Sequence, residues 1–432
     1  MIRFLKLLII IIIISGCSLK DTTGFWTNEK KLAKEVSNFK PIFKSKKRSL
    51  NEFNINFKIK LDSTIKNSKS NNLNNNNGFV QYNGNLEKIS KFNFSKISDY
   101  HKLEPDLIFH NNGIIFFDDK GNILNFDNNS KLIWKKNIYS KNEKKIKPLL
   151  SMQNYKNNLI ISDNLSNYYS LNIKNGDIFW SKSHQSPFNS QIKIYKDKFF
   201  ILDLNNNLNC FSLKDGRKIW DFRTEKPFIN PSKKLSIVIQ NNLLIFNNSL
   251  GDITAVNIES GALEWQVSTH NSDDLNEIIS LKTSNLVIDG NKIFISNNKN
   301  FFYSIDLRTG NIDWKQDINS YMTPAIIGEI LFTISENGYL FLIDKNRGNI
   351  IRINDIFKNF KPKIKKKLKP TGFILNSKNI YISTNLGKLI IVNLEDASIK
   401  EILKIGNSKI SRPFVKNNNL FLIKNDSIIK LN

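Results

Sequence analysis

Cysteine is nearly missing from this chain: its 432 residues hold two, Cys17 and Cys210. Two thiols cannot staple a chain of this length, so a disulfide scaffold is excluded. Histidine is as sparse, and His101, His110, His184 and His270 show no metal-ligand spacing. No G-x-S-x-G elbow and no P-loop occurs. After residue 14 no apolar run approaches the roughly 20 residues that a helix needs to cross a bilayer, which argues against a multi-span membrane protein. Acid is in deficit as well, with 38 Asp+Glu against 64 Lys+Arg and a net charge of +26. That excess accompanies Lys, Asn and Ile everywhere, as an AT-biased genome would write it, and is not read as a nucleic-acid footprint. The densest block, Lys361, Lys363, Lys365, Lys366, Lys367 and Lys369, reads as a solvated loop, with an anionic lipid surface as the alternative. Aromatic residues are plentiful (31 Phe, 11 Tyr, 6 Trp), ample for a packed core, so wholesale disorder is excluded.

The first residues read as an address rather than as structure. Arg3 and Lys6 precede eight consecutive aliphatic residues, Leu7 to Ile14, which are too few to span a bilayer but suit a signal peptide. Ile14-Ser15-Gly16-Cys17 comes next and resembles the bacterial lipobox, whose cysteine thiol takes a diacylglycerol. Residues 1–16 are therefore expected to be a lipoprotein signal peptide and Cys17 the lipidated residue, a diacylglycerol plus an N-acyl chain giving firm anchoring. Ser18, where an Asp favours inner-membrane retention in enteric-like bacteria, points to the outer membrane and its periplasmic face. In that compartment nucleic acid is not an expected partner, and Cys210 is expected to be a buried apolar residue.

One unit then recurs. A glycine is followed four residues later by tryptophan at Gly176/Trp180, Gly216/Trp220, Gly261/Trp265 and Gly310/Trp314. Degenerate copies flank these: Ser130 stands before Trp134, Gly348 before Arg352 and Ala397 before Glu401. The glycine places 130, 176, 216, 261, 310, 348 and 397 recur at a mean period of 44.5 residues. Within each unit the runs are β-branched and aromatic, as in Phe199 to Leu202, Leu243 to Phe246 and Ile380 to Ser383, and turn residues follow them. No stretch past residue 80 shows a 3.6-residue apolar period, so the class is all-β.

Four short strands per repeat describe the blades of a β-propeller. The 355 residues from Gly78 to Asn432 hold close to eight periods, so eight four-stranded blades are expected, with seven as the runner-up. The terminal runs Asn419 to Lys424 and Ser427 to Leu431 make half a blade, and the segment from Gly78 through Ile97 offers the missing strands. Pairing both termini in one blade would close the ring and remove its edges. The tryptophans are expected to wedge between blades. Residues 17–77, with a basic patch at Lys44, Lys46, Lys47 and Arg48 and one amphipathic stretch over 29–39, read as a lipidated, partly disordered tether. Residues 78–432 read as the propeller.

The spacing of Asn257, Gly261 and Trp265, and of Asp306, Gly310 and Trp314, resembles the tryptophan docking repeat of the pyrroloquinoline-quinone-like propellers. One branch of that superfamily is the quinoprotein dehydrogenases. These imply Ca²⁺ on carboxylate and amide oxygens, an Asp base and often an adjacent cysteine pair. Here Cys210 stands alone, and the paired carboxylates Asp118-Asp119 and Asp273-Asp274 sit in no ligand-like array. The dehydrogenase reading fails on chemistry; no catalytic residue, cofactor or metal is expected.

The other branch, the BamB family of outer-membrane assembly lipoproteins, fits lipobox, tether and ring length together. It implies a non-catalytic, monomeric ring that docks on the barrel subunit BamA and serves unfolded outer-membrane protein clients, offering them strand edges. The family presents a hydrophobic residue followed by Arg after one Trp strand. Phe222 and Arg223 are the closest match here, and an ordinary solvated arginine is the competing reading. The family's acidic loop one blade later aligns with Ser280-Leu281-Lys282, which carries no acid. A generic envelope propeller that binds glycan or protein stays open as a third class.

Overall fold

The computed structural model describes residues 50–59, 80–110, 113–227, 233–269, 281–299 and 301–432. Cys17, Ser18, His270, Asp273, Asp274 and the stretch 29–39 lie outside them. The described strands form eight four-stranded antiparallel sheets. Seven are consecutive in sequence, each running outward from an inner strand, which is short in five blades and six residues long in blades 2 and 7.

Blade 3 shows how the sequence builds one unit. Its strands are Lys193–Tyr195, Lys198–Leu202, Asn207–Ser212 and Lys218–Arg223. The two middle strands are buried almost throughout, while the outermost keeps much of its surface in solvent. That gradient explains the continuous apolar runs: a central strand is covered by neighbouring blades on both faces. The Asp203 carboxylate closes the second turn by accepting from the amides of Asn205 and Asn207 at 2.9 and 3.0 Å. Asp118, Asp163, Asn248 and Asn297 do the same in other blades. In blades 1 to 7 the ladder between third and fourth strands slips at one place, as between Cys210 and Phe211, which adds local twist.

Blade 8 is made from both ends of the chain. Lys88–Asn93 pairs with Ser427–Leu431 as the outermost strand, outside Asn419–Ile423 and Phe414–Lys416. Of the segment offered for closure, only Lys88–Asn93 is that strand. Val80 and Tyr82 pack beside blade 7, where Val80 N donates to Leu375 O at 2.9 Å and the Tyr82 ring lies 5.3 Å from Tyr381.

Part of the segment read as tether also rests on the ring. Phe53 and Ile353 exchange backbone hydrogen bonds of 3.0 and 2.9 Å, and Ile59 is buried, its amide donating to Glu395 O at 3.1 Å. Residues 52–59 thus lie along the outer strand of blade 6 and the last turn of blade 7.

Candidate functional site

The tryptophans do not pack on the glycines of their own repeats. Each indole covers the glycine of the next blade: Trp134 lies on Gly176, Trp180 on Gly216, Trp220 on Gly261, Trp265 on Gly310 and Trp314 on Gly348. A Cβ at any of these glycines would stand only 2.6–3.0 Å from the nearest ring atom, so a side chain has no room. The five glycines also hold φ of +70 to +75°, a left-handed turn that opens toward the ring. Four indoles fix the contact with a hydrogen bond to the carbonyl three residues before the covered glycine. Trp134, Trp180, Trp265 and Trp314 Nε1 donate to Ile173, Leu213, Leu307 and Lys345 O at 3.0–3.2 Å. Trp220 Nε1 is buried without a partner.

The junction between blades 6 and 7 uses another residue. Arg352 occupies the tryptophan place, and the glycine place it faces is Ala397, which keeps a φ of +60° despite its Cβ. The Arg352 side chain is fully buried. Nη2 donates to Leu394 O at 3.4 Å, the carbonyl equivalent to the indole acceptors, and Nη1 donates to Glu395 O at 2.6 Å and to Phe57 O at 2.7 Å. The guanidinium thereby ties the N-terminal segment to a blade junction. Burial lowers its pKa from the usual arginine value, and the Asp396 carboxylate opposes that effect.

Phe222 and Arg223 belong to the outer strand of blade 3 rather than to the loop beyond it. Alternation along the strand separates them. Phe222 turns inward with Trp220 and meets Phe246 edge-on at 6.4 Å, whereas Arg223 is 79% exposed and pairs with Asp221 at 3.2 Å. The arginine is the exposed member of the pair, and Phe222 is half-buried. Lys282 lies with its ammonium 5.5 Å from the Tyr321 ring, at one mouth of the axial channel. The basic block joins blades 6 and 7 through a short helix, Pro362–Lys365. There Leu368 is buried, Lys365 pairs with Asp355 and Lys369 with Glu336, and Lys361, Lys363, Lys366 and Lys367 are left at the surface.

Residues 119–354 match the family described as "Outer membrane protein assembly factor BamB". The chain belongs to this family. The BamB of Shewanella oneidensis is 22% identical over 196 residues, 45% of this chain and 49% of that protein. The chain spans about half the length of the first curated relatives it matches. The crystal structure of BamB from Moraxella catarrhalis superposes with a TM-score of 0.66 at 13% identity, covering 80% of this chain and 99% of that one. The quinohemoprotein alcohol dehydrogenase of Comamonas testosteroni gives 0.61 at 8% identity, over 80% of this chain and 76% of that one. Both likenesses concern the fold.

Within this BamB-family ring, the described side chains that a quinoprotein reading would recruit have other partners. Asp118 is buried and accepts from the Lys120 and Asn122 amides and from Asn122 Nδ2, and Asp119 accepts from Ser98 N and Oγ. His110 faces Asn125 at 2.8 Å within blade 1, and His184, just past the outer strand of blade 2, faces Asp203 of blade 3 at 3.3 Å. Cys210 is fully buried, and burial pushes its thiol up to about 12. Among the described residues no three His, Cys, Asp or Glu side chains converge as a metal site would need. No described helix is long and apolar enough to cross a membrane.

Proposed function

We propose that this chain is a non-catalytic lipoprotein scaffold of the outer-membrane β-barrel assembly machinery. It is held by lipid on Cys17 at the periplasmic face of the outer membrane and docks on a BamA-like barrel subunit. Family membership, matched across residues 119–354 of an eight-bladed ring, is the observation that carries this reading. The exposed guanidinium of Arg223, set on a rigid strand and held by Asp221, suits bidentate pairing with a partner carboxylate. Phe222 supports that strand from within and is proposed as a positioning residue rather than a contact. Unfolded outer-membrane proteins are the proposed clients. The non-catalytic reading is supported by the structural engagement of Asp118, which closes its own turn, and of Asp119, which holds Ser98.

The test is a mild-detergent pull-down of the tagged, lipidated chain from its own envelope, with mass spectrometry of the co-purified proteins. Recovery of a BamA-like barrel protein, weakened by Arg223→Glu, supports both the function and the contact. Recovery unaffected by that substitution keeps the function and discards Arg223. Absence of any barrel-assembly protein at native expression overturns the reading. A Cys17→Ala variant is expected to leave the membrane fraction.

A further inference from the structure

The axis of the ring carries chemistry that docking on a partner subunit does not use. Inner-strand residues of the blades enclose a cavity of about 340 Å³, within the usual range of small-molecule sites. A second recess continues it to one mouth, with Asp106, Gln191, Lys234, Asn285, Thr323 and Arg412 lining both.

Six cationic side chains gather there. Lys193 and Lys234 lie deep, Lys233, Lys409 and Arg412 line the recess, and Lys282 stands over Tyr321 at the mouth. Against them the described residues set the carboxylates of Glu104 and Asp106, with Glu336 further out toward Tyr321. Asp106 pairs with Arg412 Nη2 at 3.0 Å, and Glu104 lies 3.5 Å from Lys233 Nζ. Lys234 Nζ donates to Ser151 Oγ at 2.6 Å and to Leu150 O at 3.3 Å, and Lys409 Nζ donates to Leu103 O at 2.8 Å and to His101 O at 3.2 Å. Neutral acceptors orient these ammonium groups without cancelling their charge.

A buried charge is expensive unless it is compensated. Burial pulls the Lys193 pKa down to about 8 and lowers that of Lys234, and that of Lys409 is lowered by burial and by the ammonium groups of Lys282 and Lys233, with Asp106 and Glu104 opposing these shifts. An excess of cations focused inside a walled cavity attracts anions. The bidentate fork that would favour a carboxylate, Arg412, is already engaged by Asp106. The remaining cations are lysine point charges brought together from several parts of the ring, which suits the distributed oxygens of a phosphate.

We propose that this axial cavity binds a small phosphate-bearing anion carrying two or more negative charges, either a soluble phosphate ester or the headgroup of an anionic lipid. The site is independent of any docking at Arg223.

The probe is inorganic pyrophosphate, titrated calorimetrically into the full chain at fixed ionic strength, with citrate as the carboxylate arm. One saturable, submillimolar site is expected, weakened about tenfold or more by Lys234→Met and by Lys193→Met. Lys363→Met and Lys366→Met on the exposed basic loop should leave it unchanged. Lys282→Gln at the mouth, which removes no buried hydrogen bond, should weaken it less and serves if the deeper variants fail to fold. Flotation with phosphatidic-acid vesicles separates the sources. Vesicle binding displaced by pyrophosphate assigns a headgroup, and pyrophosphate binding without flotation assigns a soluble ester. No saturable heat, binding equal in the Lys193, Lys234 and Lys282 variants, or citrate binding without pyrophosphate binding would each overturn the proposal.

Discussion

The arc from blade 1 to blade 6 and the junction between blades 6 and 7 solve one problem in two ways. Along the arc an indole covers a glycine of the following blade, so the contact is apolar and close, and at four of the five junctions one hydrogen bond fixes it. At the later junction a guanidinium does the work of the indole and faces an alanine, whose Cβ would meet an indole in that position. Arg352 reaches three carbonyls instead of one, and the third, Phe57 O, comes from outside the blades. The repeating element is therefore a junction rather than a blade: the residues that belong together sit in consecutive repeats. Loss of the glycine and loss of the tryptophan go together at this junction and free it to hold the N-terminal segment.

The comparison breaks most visibly at the arc. Trp265→Ala removes a buried indole and should cost about 3–5 kcal/mol, read from the urea midpoint. Trp220→Ala should cost about 1 kcal/mol less, because its Nε1 has no acceptor to lose. Gly310→Ala drives a Cβ to 2.6 Å from the Trp265 ring at a φ of +74° and should cost about 2–4 kcal/mol. Gly290→Ala is the control: at φ +59° with nothing within 4 Å of the new carbon, it should cost only about 1 kcal/mol, and equal losses would refute the docking account.

The exceptional junction can be converted into an ordinary one. Arg352→Trp and Ala397→Gly should each destabilise alone, and the double variant should recover about 1–3 kcal/mol of coupling in a mutant cycle. In that variant Phe57 O loses its donor, and residues 50–59 should lose hydrogen-exchange protection while the blades keep theirs. Retained protection would show that Arg352 does not hold the segment.

A pH dependence contrasts the axis with the blade junctions. Folded Lys193 titrates near 8 and its unfolded counterpart near 10.5, so between those values the unfolded state binds the extra proton. Stability should therefore rise as pH increases from about 8 toward 10, and Lys193→Met should flatten that rise. Above about 10 the trend should reverse, because buried Tyr82 and Tyr168, both raised to about 12, resist the ionisation open to unfolded tyrosine.

Much of the ring was legible before the structure. The 44.5-residue period and the turn residues pointed to eight blades and to closure through the termini, because strands and turns answer to alternation and φ preference within a few residues. The docking pairs were not legible in the same way. Read one repeat at a time, Ser130 before Trp134 and Gly348 before Arg352 look like decayed copies. Read across a junction both are regular, since Gly348 is covered by Trp314 and no tryptophan faces Ser130. Phe222 carried no signal of its inward turn beyond its two-residue spacing from Trp220. The axial lysines had none at all: apart from the neighbours Lys233 and Lys234 they are scattered over separate repeats.

Sequence alone thus determined the strand-and-turn elements and the class of fold and favoured eight blades over seven, since each comes from local chemistry repeated at a fixed period. Tertiary structure alone decided which glycine each indole covers, what Arg352 grasps and which cations meet on the axis. Those contacts join residues tens to hundreds of positions apart, and only closure of the ring sets the distances between them.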